Sequence, residues 1–526
     1  MTGPATGPAT GVAADGMLRA RLLGTTGALL VALGALGAGA LPVPHPLAGL
    51  RLVGLPARTA TLSLALAWAG AALLVLAWLQ VSRRVRAGGP LAPSRAELGR
   101  TALLWALPLA IAPPVFSRDV YSYLAQGAVL ARGLDPYALG PAEALGMDDP
   151  LVRSIPAMWR DTPSPYGPLF LGLARGVAVL AGDDVALGVL VHRVLALAGL
   201  ALVVAALPAL ARRCGVDPRY ALWCGAAHPL VLFHLVGGVH NDALMLGLLL
   251  AGLELGLRAG ERLLDGRLLA GAVLVVAASA VKLPALVALG VLGAVRARGG
   301  GWRAVAAQTG VLGAVAVAGL AVCTAATGAG PGWLAALGVP GSIDSPFSPT
   351  TDLGYAAGVL GVLAGLGDHT ATAVALVRAI GLVAGAGVVG AALLAVRGGR
   401  LDPVAGLGAS LAAVVLLGPA GQPWYLLWAL VPLVATPALP RLRRALLAVS
   451  VPLALVLAPT GGLFPFHGFQ PALAVIAALL LVACSVWGTD RWYRPSERGI
   501  RAAGRGTRPA WTTTRRSRSA PTSPTP

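Results

Sequence analysis

Long apolar stretches recur through most of this chain, and they limit the folds available to it more than any other feature. Runs near or above about 18 apolar residues, the length that an α-helix needs to cross a bilayer, recur from Leu22 to Trp487. The runs do not alternate between polar and apolar residues, as the strands of a membrane β-barrel would. Only 12% of the residues are charged, against about 25% in soluble proteins. The chain is therefore predicted to be an all-α, polytopic transmembrane protein.

The arginine residues predict how the helices are oriented in the membrane. The net charge is +19, but the arginines cluster between apolar runs, as they do in cytoplasmic loops, so nucleic acid is not expected as a partner. The most basic of these loops contains Arg83, Arg84, Arg86, Arg95 and Arg100. With that loop in the cytoplasm, about 13–14 spans fit the chain, and the span after the loop ends on the outer face.

The sequence predicts one membrane domain between two polar ends. Residues 1–18 and 491–526 are poor in large apolar residues and are predicted to be disordered cytoplasmic segments. The tail is basic and is expected to contact membrane lipids. Residues 19–490 form the transmembrane domain, in which residues 117–185 are predicted to be a first large outer loop with juxtamembrane helices.

Polar and ionisable residues collect at or near the predicted outer face. Asp119 follows directly on a span and starts a helix on which Ser122, Tyr123 and Gln126 share its face, which predicts a helix lying on the membrane surface. An ionisable group at a membrane is costly, so it is a functional candidate by default. The other polar or aromatic residues on this side include Asp135, Tyr166, His240, Asn241, Asp242, Lys282, Asp344, Gln422, Trp424, Tyr425 and His467.

These residue types suit glycosyl transfer from a lipid-linked sugar phosphate. An acid such as Asp119 can take the proton from a sugar hydroxyl that attacks the anomeric carbon, while cations and hydrogen-bond donors hold the phosphate leaving group. A single displacement inverts the anomeric centre and needs only one base. Asp119 is thus the candidate catalytic residue. The candidate substrate-binding residues are Arg118, Tyr123, Gln126, Tyr166, His240, Asn241, Asp242 and Lys282.

Five segments of the chain resemble the actinobacterial polyprenol-phosphate-mannose-dependent α-(1→6)-mannosyltransferases, which are GT-C enzymes of lipomannan and lipoglycan synthesis. The resemblance covers roughly residues 20–490, and the Gly-Gly-Val-His-Asn-Asp-Ala run at 237–243 is its most distinctive part. The five segments are 117–127, 133–137, 164–169, 228–245 and 281–284.

The resemblance implies a GT-C type fold and a specific reaction. The acid in the first large outer loop of such enzymes is the catalytic base, and Asp119 matches it. The implied donor is polyprenyl phosphomannose, the implied acceptor a lipid-anchored α-(1→6)-mannan, and the product α-linked through inversion. The site would lie on the outer face of the plasma membrane, and neither a metal nor another cofactor is expected. The roles of His240, Asn241 and Lys282 are inferred from charge and side alone.

Simpler structural roles would also explain several of these residues. Helix capping alone would account for Asp119, and equally for Asn241 or Asp242. Asp135 precedes a proline and fits a turn former. Lys282 fits a snorkelling residue in a split helix. An aromatic belt at the membrane interface would explain a further group of residues, Gln422, Trp424 and Tyr425.

A different function also fits part of the pattern. Broken helices and polar groups within a membrane suit a flippase or transporter for a lipid-linked sugar. Two features argue against it, because no internal repeat is evident in the sequence and the polar groups gather on one side of the membrane.

Overall fold

The computed structural model describes residues 8–88, 92–462 and 467–492, and this part of the chain is helical, with no β-strand. The all-α prediction is therefore confirmed. Residues 1–7 and 493–526, which belong to the two segments predicted to be disordered, lie outside the described residues. The first helix begins at Pro8.

The helices follow the chain in three groups. The first group is α1 (Pro8–Ala38), α2 (Leu55–Arg58), α3 (Ala60–Ala87), α4 (Arg95–Ile111), α5 (Asp119–Ala131), α6 (Pro141–Leu145), α7 (Pro150–Ser154), α8 (Ala157–Arg160) and α9 (Pro168–Ala181). The second is α10 (Val185–Arg213), α11 (Pro218–Ala221), α12 (Asp242–Gly256), α13 (Gly266–Ser279), α14 (Val287–Arg296) and α15 (Trp302–Thr327). The third is α16 (Pro349–Leu363), α17 (Thr370–Arg397), α18 (Pro403–Leu417), α19 (Leu426–Leu433), α20 (Pro440–Val456) and α21 (Phe469–Trp492).

Short irregular helices lie between the regular ones. The π-helical segments are Leu222–Ala226 and Val231–Gly237, and the 3₁₀ segments are Leu283–Leu286, Gly330–Gly341 and Pro423–Tyr425. The predicted split near Lys282 is present, because Lys282 is extended and the 3₁₀ segment that follows it begins Leu-Pro. Pro284 has no N–H to continue the hydrogen bonds of α13, so this break is encoded locally.

Six helices of the described chain are long and apolar enough to cross a membrane, which makes this a multi-pass membrane protein. They are Gly16–Ala38, Ala60–Ala87, Val185–Arg213, Trp302–Thr327, Thr370–Arg397 and Phe469–Gly488. The bent pair Pro218–Ala226 and Val231–Gly237, whose parts meet at 60°, would make a seventh. Fewer helices than the predicted 13–14 pass by length, because several predicted spans are shorter or broken helices, such as α13 followed by α14.

The spanning helices differ greatly in how much protein surrounds them. In the apolar stretch of α3, 67% of the residues are buried within the protein. The corresponding share is 22% in α17 and only 11% in α15 and in α21. Helix α3 therefore belongs to the core. The other three present most of their apolar surface outward, where lipid replaces protein as the solvent.

The first large loop carries α5 to α9, and α5 differs from its prediction. Instead of lying on a surface with one polar side, α5 is buried along almost its whole length. A Cβ atom at Gly127 would lie 2.2 Å from the Ala174 carbonyl oxygen, so α5 and α9 are in direct backbone contact. The amphipathic spacing that predicts a surface helix predicts equally well a helix with a polar side toward a buried site.

Candidate active site

Asp119 is the first residue of α5, and its carboxylate is turned into the protein. The cap residue of α5 is Arg118, and no side chain makes a capping hydrogen bond there. The backbone N–H of Asp119 donates to Ser117 Oγ at 3.1 Å. Its own side chain is 12% exposed. Capping alone therefore does not explain Asp119.

His240 is a direct ionisable neighbour of Asp119. Its Nδ1 lies 3.5 Å from Asp119 Oδ2 and 3.4 Å from the hydroxyl oxygen of Tyr123. The imidazole is fully buried and stacks on the indole of Trp424, with ring centroids 3.9 Å apart. The preceding residue, Val239, has a φ of 60°, a left-handed conformation that is strained for a β-branched residue.

An ion pair lies directly behind this histidine. Lys282 Nζ donates to Asp242 Oδ2 at 2.8 Å, and the indole N–H of Trp428 donates to the other carboxylate oxygen at 2.7 Å. Asp242 Oδ2 is also 4.0 Å from His240 Nδ1. The carboxylate of Asp119 and this ion pair therefore approach the same imidazole nitrogen, and together they form one continuous polar cluster.

Aromatic rings surround the lysine of this cluster. Lys282 Nζ lies 4.9 Å from the ring centroid of Tyr425, 5.6 Å from that of Trp428 and 5.7 Å from that of Tyr166. Tyr425 and Trp428 stack on each other at 4.2 Å. Such faces attract a cation and replace part of its lost hydration. Trp424 and Tyr425 thus contact the polar cluster, and they do not form a separate interfacial belt.

The surroundings tune Asp119 toward proton uptake near neutral pH. Burial raises the pKa of Asp119 from its usual 3.8 to about 6, with the Lys282 charge opposing and the Asp242 charge adding to the rise. Burial also lowers the pKa of His240 well below its usual value, assisted by His234 and Lys282. His240 is thus neutral at pH 7, and Asp119 is a carboxylate that accepts a proton more readily than an exposed one.

Several buried polar atoms beside the cluster have no hydrogen-bond partner among the described residues. A buried polar atom left without a partner costs about 1–3 kcal/mol, and native proteins keep few of them. A ligand rich in hydroxyl groups would satisfy both donors and acceptors of this kind. The atoms are Ser122 Oγ, Gln126 Nε2, His240 Nε2, Trp424 Nε1 and both polar atoms of the Asn241 side chain.

The remaining predicted binding residues lie at different distances from the cluster. Tyr166 packs edge-on against Tyr123, with ring centroids 5.3 Å apart, and Gln126 Oε1 accepts from Ser164 Oγ at 2.9 Å. Arg118 points elsewhere, since its guanidinium donates to the carbonyls of Ser154 and Leu41. The structure therefore gives Arg118 a role in holding the loop.

Two other polar residues of the predicted outer face have structural explanations. Asp135 Oδ1 accepts from the backbone N–H of Tyr137 at 2.8 Å, which is the turn geometry expected before a proline. His467 is exposed and stacks on Phe469. In the described part of the chain, no group of three His, Cys, Asp or Glu side chains is arranged to hold a metal ion.

Trp428 was not singled out by the sequence, although it contacts Asp242 directly. The only signal was its position four residues after Trp424, which places both indoles on one side of a helix. Tryptophans at that spacing are common in membrane helices, so the pattern does not by itself indicate a site.

Comparisons with known proteins match nearly the whole of the membrane domain. Residues 21–298 match the family model described as alpha-(1→6)-mannopyranosyltransferase, N-terminal domain, and residues 350–487 match the MptB C-terminal domain. No solved structure matches the chain. The polar cluster draws on both matched regions, because Asp119, His240 and Lys282 lie in the first and Trp424 and Trp428 in the second.

Three relatives are 40–45% identical to this chain over most of its length. A probable alpha-(1→6)-mannopyranosyltransferase of Mycolicibacterium smegmatis is 45% identical over 89% of this chain and 88% of its own length. An alpha-(1→6)-mannopyranosyltransferase of Mycobacterium tuberculosis is 41% identical over 89% of this chain and 86% of its own length. Alpha-(1→6)-mannopyranosyltransferase B of Corynebacterium glutamicum is 40% identical over 78% of this chain and 72% of its own length. The chain belongs to the alpha-(1→6)-mannopyranosyltransferase family.

Proposed function

We propose that this protein transfers mannose from polyprenyl phosphomannose to a lipid-anchored α-(1→6)-mannan, with inversion at the anomeric carbon and Asp119 as the base. The observation that carries the proposal is the contact of the Asp119 carboxylate with neutral, buried His240, 3.5 Å away, with the Lys282–Asp242 pair beside the same imidazole nitrogen. The names of the relatives support mannose as the sugar and α-(1→6) as the linkage.

The reaction is a single displacement. The acceptor hydroxyl oxygen attacks the anomeric carbon from the face opposite the phosphate, and its proton passes to Asp119. The bond from the anomeric carbon to the phosphate oxygen breaks, and its electron pair leaves with polyprenyl phosphate. A β-linked donor thereby gives an α-linked product. General-base assistance of this kind contributes about 10²–10⁴-fold to the rate.

Lys282 is suited to hold the phosphate leaving group. An ammonium group has three N–H donors, and Lys282 uses one of them on Asp242 at 2.8 Å. Its side chain is 9% exposed, so it is close to the accessible edge of the cluster. Its charge would stabilise the negative charge that develops on the phosphate oxygen.

Asn241 is suited to hold hydroxyl groups of the transferred sugar. Its side chain offers a donor and an acceptor, both buried and both without a partner among the described residues. It caps α12 by position but makes no side-chain capping bond. A pair of neighbouring sugar hydroxyls can satisfy both atoms at once.

The direction of the helices supports a site on the outer face of the plasma membrane. Arg84 and Arg86 are in the last turn of α3, and α4 begins at Arg95, so this end of the two helices is strongly basic. Basic helix ends mark the cytoplasmic side. Asp119 follows the opposite end of α4, where a lipid-linked donor on the outer leaflet would meet it.

The test is transfer of labelled mannose by membranes that contain the protein. Labelled polyprenyl phosphomannose and a short α-(1→6)-mannoside are supplied to the wild type, to Asp119→Asn and to Asp135→Asn as the matched control. We expect transfer by the wild type and the control and at least about a 10²-fold loss in Asp119→Asn. Equal transfer by Asp119→Asn would remove Asp119 as the base. Uptake of the lipid-linked sugar into vesicles without transfer would instead indicate a flippase.

A further inference from the structure

A second buried arginine, Arg193 in α10, joins the two chain segments that lead to Asp119 and His240. It is 3% exposed. Its Nη1 donates to the carbonyl oxygens of Ala110 at 3.0 Å and Ala112 at 2.7 Å, and its Nη2 donates to that of Gly237 at 3.4 Å. The first two acceptors end α4, and the third ends a π-helical segment.

The sequence explains why the end of α4 needs an outside donor. In a continuing helix the Ala110 carbonyl would accept from the N–H of residue 114, but positions 113 and 114 are both proline and have no N–H. Arg193 supplies the missing donors. Its positive charge also lies at the C-terminal end of α4, where the helix dipole favours a cation.

The two segments held by Arg193 lead directly to Asp119 and His240. Val115 N–H donates to the Gly237 carbonyl at 3.2 Å, so the segments touch each other beside the guanidinium. Each then passes through a residue with positive φ, Phe116 at 65° and Val239 at 60°. Such conformations are strained and persist only where surrounding contacts impose them.

We propose that Arg193 is a positioning residue for the reaction, which fixes the Asp119 segment against the His240 segment. This inference rests on the proposed function of that site. Within the described residues no carboxylate pairs with Arg193, and its recorded hydrogen bonds go to backbone carbonyls. A planar guanidinium can reach three carbonyls in fixed directions, whereas an ammonium group concentrates its charge at one point. Lysine at position 193 should therefore preserve the charge but not the relative position of the Asp119 and His240 segments.

The test compares Arg193→Lys with Arg298→Lys. Arg298 also donates to carbonyls, those of Val396 and Leu401, but away from the site. We expect Arg193→Lys to lower kcat per folded enzyme by about tenfold or more, since small misplacements of reacting groups are costly. The KM for the donor should change less than about threefold. The acidic limb of the pH–rate profile should shift, because the surroundings of Asp119 change. Arg298→Lys should match the wild type in all three respects.

A second measurement does not depend on transfer. A Cβ atom at Gly237 would lie 2.7 Å from Val115 Cγ2, so cysteines at these two positions are within reach of a disulfide. In a background without the four native cysteines, oxidation of the pair should be at least about fivefold slower with Arg193→Lys. Unchanged kcat per folded enzyme together with unchanged oxidation would overturn the inference. Absence of transfer by the wild type, with slower oxidation in the variant, would refute the proposed function alone.

Discussion

Lys282 and Asp242 form an ion pair of 2.8 Å in which the lysine side chain is 9% exposed and the carboxylate is fully buried. The lysine comes from the break after α13, and the carboxylate from the first turn of α12. A buried pair of this kind adds little net stability, but removal of one partner leaves an uncompensated charge. The pair therefore couples two helix ends at the site. Variants of its two residues should show which part of its role concerns protein stability and which concerns the transfer reaction.

Replacement of Lys282 by methionine should destabilise the protein and abolish transfer. The isolated Asp242 carboxylate costs about 3–5 kcal/mol when its partner is removed. The double variant Lys282→Met with Asp242→Asn should recover most of the lost thermal stability but not the activity. Thermal unfolding in detergent and the transfer assay measure the two effects. Recovery of transfer in the double variant would show that Lys282 does not contact the phosphate.

The rate of transfer should fall with acidity below pH about 6. The pKa of Asp119 is raised to about 6, so the proposed base becomes protonated below that pH. We expect kcat/KM for the acceptor to decrease about tenfold per pH unit on that side. The profile between pH 4.5 and 8 measures it. A rate that stays level down to about pH 4.5, as the usual aspartate value of 3.8 would give, would contradict the assignment.

The same carboxylate should lower the stability of the protein at neutral pH. Because the folded-state pKa is raised above the usual 3.8, the contribution of Asp119 to stability is complete below that value and is lost as the pH rises through about 6. Asp119→Asn should therefore melt at a higher temperature than the wild type at pH 7.5, and at a similar temperature near pH 4. Thermal shift at the two pH values tests this. A lower melting temperature for Asp119→Asn at pH 7.5 is the contrary result.

Asn241→Leu should weaken donor binding without weakening the fold. Both side-chain polar atoms of Asn241 are buried without partners among the described residues, so leucine removes no hydrogen bond there. We expect the KM for the donor to rise about tenfold, the usual effect of one or two lost hydrogen bonds. Gln308→Leu is the control, because Gln308 Oε1 on α15 is equally unpartnered but belongs to a different part of the protein. Equal effects of the two substitutions would argue against a sugar-binding role.

Gly167→Ala should displace the segment that carries Lys282. A Cβ atom at Gly167 would lie 2.4 Å from the Ala280 carbonyl oxygen, and the Gly167 N–H donates to the Val281 carbonyl at 3.1 Å. The atoms that this Cβ would meet all belong to the Ala280 backbone, so no flexible side chain can move aside. We expect a lower melting temperature and at least about a tenfold lower kcat. Gly176→Ala, in helix α9 that begins directly after Gly167, has nothing within 4 Å of its Cβ and should behave as the wild type.

The parts of the structure that depend on local sequence could be predicted. Apolar runs mark membrane helices, and a lysine and proline inside one run mark the break at Lys282. The first acidic residue after a span stands out because charges are rare near a membrane. For the same reason Asp119, His240 and Lys282 could be proposed together from their side of the membrane alone.

The parts of the structure that depend on packing between distant segments could not be predicted from the sequence. The burial of α5 follows from α9 lying against it at Gly127, a contact that no periodicity encodes. Trp428 and Arg193 gain their roles only because the fold brings Asp242 and the end of α4 to them. Arginine and tryptophan are frequent in this chain, so their identity alone distinguished neither residue.

The stacking of Trp424 on His240 links two stretches of chain that match separate family models. The ring that packs against His240, beside the proposed base, is thus contributed by the C-terminal matched region. A recombination between relatives that exchanged only residues 350–487 would bring a foreign indole against a native imidazole. The two matched regions are therefore expected to change together at this contact. Exchange of one region without the other should be tolerated only where the stack of the indole on the imidazole is preserved.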